Sequence, residues 1–222
     1  MRAMSQVHVN ARRRIGSAAA FAIAALLGSV NIALAADEAT DAAAQVYAQR
    51  VAIGVCGTCH GPRGNSIQPK FPRLAGQSAN YLVAQLKNFR GQLRGDPDAI
   101  SYMWGMAGEL KDSTIEALAK YYSSQVARPG PARRSSRIDW GREIYQHGIE
   151  SEGVPACAAC HGPDAHGVAD FPRLAGQHSQ YILKQLGSFQ SNMRNVAVMH
   201  GVAQNLRTAE MEAVAAYLEA QP

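Results

Sequence analysis

Two copies of one five-residue string, Cys56-Gly57-Thr58-Cys59-His60 and Cys157-Ala158-Ala159-Cys160-His161, use up all four cysteines of the chain. A Cys-x-x-Cys-His string attaches haem c. Its two thiols are spaced to form thioethers with the two haem vinyls, and the histidine that follows presents an imidazole nitrogen to the iron. Other chemistries meet obstacles in the composition. Structural zinc needs two further ligands per site, and no cysteine remains to supply them. A redox disulfide of the thioredoxin kind sits in a βαβ setting, and neither string is flanked by strand-like alternation. Two such strings imply two covalently bound haem c groups with their iron, held through Cys56, Cys59, Cys157 and Cys160, with His60 and His161 as proximal ligands.

The strings lie in a tandem repeat. Phe71-Pro72-Arg73-Leu74-Ala75-Gly76-Gln77 recurs as Phe171-Pro172-Arg173-Leu174-Ala175-Gly176-Gln177, seven identities in a row. The match continues through Tyr81 and Tyr181, Gln85-Leu86 and Gln185-Leu186, and Phe89 and Phe189. After a short deletion it resumes with Met103-x-Gly105 and Met199-x-Gly201, then Leu110 and Leu206. Each half is therefore one unit of about 90 residues, near the lower end of ordinary domain size. The expected divisions are a signal peptide over 1–35, an N-terminal domain over 36–124, a linker over 125–138 and a C-terminal domain over 139–222.

The signal reading rests on Arg2, Arg12, Arg13 and Arg14, an apolar run from Ile15 to Leu34, and a small-residue cleavage site ending at Ala35. An uncleaved anchor is the alternative, since the run approaches the roughly 20 residues of a spanning helix. Gly16, Ser17, Gly28, Ser29 and Asn31 dilute it. Export to the periplasm agrees with haem c attachment outside the cytoplasmic membrane. The signal also carries four arginines and no acid, so the formal charge of +5 falls almost to balance without it. That argues against nucleic-acid binding, which wants a concentrated basic stripe. The short Arg133-Arg134-Ser135-Ser136-Arg137 cluster reads as solvated linker.

Periodicity predicts an all-α fold. A first helix is expected over Asp41 to Val55, with a counterpart over Asp139 to His147 capped by Asp. A second helix begins after Ser78 or Ser179, and a last one opens at Asp112-Ser113 or Thr208 with apolar residues on one face. Halves this small have few large side chains, so the haem is expected to supply much of each core.

Each iron needs a second ligand, and methionine suits it, because His/Met ligation raises the potential of cytochromes c. Most methionines are only core fillers. Met103 and Met199 alone coincide in the repeat. Met106 aligns with Val202 and Met211 with Ile115, which marks both as packing residues; Met193 and His200 remain rivals to Met199. His147, His166 and His178 read as surface residues. The Pro72 and Pro172 carbonyls are candidates to accept the second ring N–H of the proximal histidines, fixing their orientation.

The combination of Cys-x-x-Cys-His-Gly, Phe-Pro-Arg-Leu-Ala-Gly-Gln, Tyr-Leu-x-x-Gln-Leu and Met-x-Gly, doubled behind a signal, resembles the dihaem cytochrome c4 family over nearly all of the mature chain. The resemblance implies two class I cytochrome c domains packed about a pseudo-twofold axis with propionate edges facing, and His/Met ligation in both. It also implies a periplasmic carrier of single electrons from a quinol–cytochrome c reductase to a terminal oxidase, with peripheral membrane association and no enzymatic activity. The bulky Trp104 beside Met103 departs from the pattern. Two other classes compete: an electron-accepting cytochrome subunit of a periplasmic dehydrogenase, and a dihaem peroxidase-type enzyme, which needs an open or unusually ligated iron.

Overall fold

The computed structural model describes residues 41–222, so the expected signal lies outside the described residues. The described chain is helical, and its only extended pairings are two isolated bridges, Ile149 with Val154 and Val168 with Phe171. In the first half, α1 (41–51) winds through a π-helical turn, Ala52–Cys56, into α2 (Gly57–His60). There follow α3 (Ala79–Arg90), a second π-helical turn (Ala99–Met103) leading into α4 (Trp104–Ala107), and α5 (Asp112–Ser123). The second half repeats the order with α6 (Ser136–His147), α7 (Ala158–His161), α8 (Ser179–Gln190), α9 (Ala197–Ala203) and α10 (Thr208–Glu219). No helix among the described residues is long and apolar enough to cross a membrane.

The last helix of each half buries the face its sequence predicts. Ile115, Leu118, Ala119 and Tyr122 are buried on α5, and Met211, Val214, Ala215 and Leu218 on α10. Helix α6 crosses α10 at Gly141, where an added Cβ would lie 2.0 Å from the Ala213 carbonyl oxygen, so only glycine allows that approach. The first half divides its core. Ala48, Ala52, Leu82, Leu118 and Tyr122 form one cluster, and Phe89, Ala99 and Ala107 form another with Met103 and Trp104 packed on it. The space between these clusters is the cavity described below.

The helix starts differ from expectation in two places. Asp139 does not cap α6; Ser135 does, accepting from the Ile138 N–H at 3.3 Å, which places Asp139 in the first turn, where a carboxylate favours the helix dipole. The helix thus opens inside the stretch expected as linker. Ser78 caps α3 by accepting from the Tyr81 N–H, but its counterpart is His178, which makes no side-chain cap, and Ser179 is already helical.

The rest of the linker is a pinned strap rather than a free tether. Asn65 donates to the Val126 carbonyl at 3.0 Å and accepts from the Arg128 N–H at 2.9 Å, while the Gly130 N–H donates to the Gln221 carbonyl at 2.9 Å. Residues 131–137 form one continuous exposed run, as expected of the arginine cluster.

The halves meet through their repeated residues. The Gln177 amide accepts from the Arg73 N–H and donates to the Arg73 carbonyl, both at 2.9 Å. Gln77 does the same to Arg173, at 2.8 and 2.9 Å. This exchange is the signature of a twofold relation. Beside it lies a buried polar network: Arg94 reaches Tyr181 and Gln185 across the interface, and Arg194 reaches Tyr81 and Gln85. Asp96 pairs with Arg94 at 2.6 Å and has no counterpart in the second half, where the loop before the methionine is shorter.

Candidate functional site

Each Cys-x-x-Cys-His string forms a single helical turn that ends on a glycine of positive φ, Gly61 at 74° and Gly162 at 80°. An added Cβ on Gly61 would meet the Asn65 carbonyl oxygen at 2.7 Å, so the chain can reverse there only as glycine. The turns deliver His60 and His161 inward, each 7% exposed. His60 Nδ1 lies 2.9 Å from the Pro72 carbonyl and His161 Nδ1 lies 3.0 Å from that of Pro172, the contacts expected from the sequence. A carbonyl only accepts, so Nδ1 carries the hydrogen in both rings and Nε2 keeps its lone pair free. Burial lowers both imidazole pKa values, against the opposing pull of the proline carbonyls, and favours the neutral, ligating form. Phe71 and Phe171 stand edge-on to the two rings at 6.3 and 6.0 Å.

The four cysteines are unpaired thiols, partly buried. Burial raises the Cys56 pKa and pushes that of Cys157 up to about 11, the reverse of the activated thiolate in a redox Cys-x-x-Cys. Cys56, Cys59, His60 and Met103, and their counterparts Cys157, Cys160, His161 and Met199, all border one cavity of about 1270 Å³ that runs through both halves. A single small-molecule site spans roughly 300–1,000 Å³, so the space suits two groups better than one.

The rival ligands fall elsewhere. Met193 is 48% exposed and Met211 is buried in the second core, and neither borders the cavity. Met106 is 56% exposed at the cavity rim rather than packed, a correction to the sequence reading. His200, next to Met199, also stands outside the lining, and its Nδ1–H donates to the Phe189 carbonyl at 2.8 Å. Its counterpart Trp104 is anchored to a different carbonyl, Nε1–H donating to Arg94 at 2.8 Å, five residues past Phe89, the equivalent of Phe189. The indole reaches farther than imidazole Nδ1, which matches the longer loop of the first half.

His178 also departs from expectation. It is buried between the halves, with Nε2 3.0 Å from the Ser66 carbonyl and Nδ1 3.7 Å from Glu219. Burial and then the neighbouring Arg73 lower its pKa. His147 and His166 are exposed. Sequence reasoning missed the interface residues altogether, although repetition of Gln77, Tyr81, Gln85 and Arg94 in both halves was the available signal.

The residues present fit haem c. The lining is predominantly apolar, and in each half it offers two thiols, a neutral buried imidazole and a thioether. Arg173 Nε and Arg194 Nε are buried without hydrogen-bond partners, and both side chains border the cavity. Such orphaned cationic donors await an acidic group, and haem carries two carboxylates.

Comparison with known proteins agrees with this geometry. The cytochrome c family model matches residues 41–125 and again 139–221. The chain is 36% identical to cytochrome c4 of Stutzerimonas stutzeri over 87% of its own length and 97% of that protein's. It is 36% identical to the thiosulfate dehydrogenase electron acceptor of Thiomonas intermedia, covering 75% of this chain and 78% of that one. The solved structure of cytochrome c4 from Acidithiobacillus ferrooxidans superposes with a TM-score of 0.71 at 39% identity, over 74% of this chain and 97% of that one. A doubled cytochrome c fold, two haem-attachment turns and relatives matched nearly end to end lead to one conclusion: the chain belongs to the dihaem cytochrome c4 family, a group of electron-transfer proteins rather than enzymes, and carries two covalently bound haem c groups.

Proposed function

We propose that the protein is a periplasmic carrier of single electrons between a quinol-oxidising complex and a terminal oxidase, with each haem bound through one half's own residues. Cys56 and Cys59, and Cys157 and Cys160, form the thioethers; His60 and His161 are proximal ligands; Met103 and Met199 are distal ligands. The observation that carries this reading is that each half brings two thiols, one imidazole and one thioether to the cavity shared by both. Haem iron supplies a one-electron ferric–ferrous couple when bound. The chain's part would be to offer the iron one imidazole and one thioether in each half, to hold the imidazoles neutral and oriented, and to keep water from the apolar pocket. On this reading 1–35 directs export, and the domains divide at the strap.

A carbon monoxide difference spectrum of the reduced, haem-loaded protein tests the ligand set. No spectral change is expected, because Met103 and Met199 would leave carbon monoxide no open site; a shift amounting to one haem would point to an open site and to the peroxidase-type alternative.

A second reading has support of its own. Similarity to a thiosulfate dehydrogenase electron acceptor favours a carrier that docks on a dedicated dehydrogenase. Isolation from the native host under mild conditions separates the two readings: a stoichiometric catalytic subunit would favour the dehydrogenase partner.

A further inference from the structure

The Pro72–Arg73 peptide is held at both ends. Its carbonyl oxygen accepts from His60 Nδ1–H at 2.9 Å, and its N–H donates to Gln177 Oε1, from the opposite half, at 2.9 Å. The Pro172–Arg173 peptide repeats the arrangement, with His161 at its oxygen and Gln77 at its nitrogen, at 3.0 and 2.8 Å. Both glutamines are buried, at 7% and 8% exposure. The two bonds share one conjugated amide. Withdrawing the N–H toward an acceptor moves electron density onto the carbonyl oxygen, which becomes a better acceptor for the imidazole N–H; linked hydrogen bonds strengthen one another by about 10–30% per bond.

We infer that Gln77 and Gln177 are crossed positioning residues: each, through one peptide unit, sets the electron richness of the proximal histidine of the other half. The inference rests on reading His60 and His161 as iron ligands. A more strongly hydrogen-bonded Nδ1–H makes imidazole a stronger electron donor and favours the ferric state. Loss of Gln177 therefore raises the potential at His60, and loss of Gln77 raises it at His161. An interface serving only to hold the halves together would give no such crossing.

The test uses Gln77→Met and Gln177→Met, near-isosteric changes that remove the amide, in the haem-loaded full chain. Two quantities are read for each haem: the midpoint potential, and the exchange rate of the proximal ring N–H in the ferrous protein, which assigns signals to His60 or His161. Gln177→Met is expected to change the ferric-to-ferrous ratio of the His60 haem about two- to threefold at fixed potential, or roughly 20–30 mV for a one-electron couple. It should also speed His60 ring N–H exchange while leaving His161 near its original values. Gln77→Met should do the converse. Uncrossed shifts, equal shifts in both haems, or no shift overturn the inference. If Gln177→Met does not retain both haems, the same comparison is read on Gln177→Asn, which keeps the amide but withdraws it by one methylene. If no ring N–H of His60 or His161 is found beside iron in the wild-type protein, the ligand reading fails, and the relay fails with it; if those signals are present but indifferent to the variants, only the relay fails.

Discussion

Asp96 is the single carboxylate in an interface network that buries two guanidiniums, and this imbalance gives it weight. Burial alone would raise its pKa, but Arg94 at 2.6 Å more than offsets that and holds the carboxyl below its ordinary value. Replacing it with Asn leaves a buried charge uncompensated, which costs about 3–5 kcal/mol. Because the folded pKa is depressed, the stability Asp96 contributes is present above its unfolded pKa of about 3.9 and disappears as pH falls through the lower folded value. Urea melts of wild type and Asp96→Asn should thus differ widely at neutral pH and converge in acid. Trp104 and His200 offer a second residue-level test. Phenylalanine at either position keeps a ring and removes the N–H that anchors the turn carrying Met103 or Met199. A lost hydrogen bond of about 0.5–1.5 kcal/mol should let added imidazole displace that methionine at a concentration about two- to twelvefold lower, read as loss of the far-red band of thioether-ligated ferric iron in one haem only. The cysteines and histidines that border the cavity were legible because chemistry restricts their spacing, and Met103 and Met199 because the repeat pairs them. His178 was not, since its burial depends on a partner surface folded from residues more than a hundred positions away.

Among the elements, helices were legible wherever an apolar face recurs at helical spacing, as on α5 and α10. Their starts were less so, because several residues in a row can cap and the local string does not say which one will. Ser78 caps α3 with its hydroxyl, and Ser78→Ala should cost about 1 kcal/mol in a denaturant melt. His178→Ala removes no cap from α8, so any loss there belongs to its buried contacts with Ser66 and Glu219. The π-helical turns before Cys56 and Met103 were also hidden, as an extra residue in a turn leaves no mark on composition. Gly141→Ala should destabilise the second half by about 1–3 kcal/mol or more, because its methyl would strike the Ala213 backbone rather than a side chain able to move aside. Circular dichroism during thermal melting would register the loss as a lower transition for that half.

For the whole molecule, the repeat made the duplication plain, but not the way in which the copies face each other. Repetition of Gln77, Tyr81, Gln85 and Arg94 is equally compatible with two separate beads, and only the reciprocal bonds in the structure place each copy of this set against the other half. The strap was read as a spacer because Pro, Gly and Arg dominate it; Asn65, sixty residues away, is what pins it. Asn65→Ala should speed elastase cleavage after Val126 several-fold while leaving tryptic cleavage in the exposed 131–137 segment unchanged, a difference that mass spectrometry of timed digests would reveal. The glutamine exchange also bears on descent. After a gene doubles, its copies ordinarily drift apart, each free to vary while the other keeps the ancestral trait. Here a change at Gln77 is felt at Arg173 and one at Gln177 at Arg73, so neither copy could wander at these positions without harming its sibling. The repeated glutamine thus records a mutual inheritance, each half being part of the other's environment.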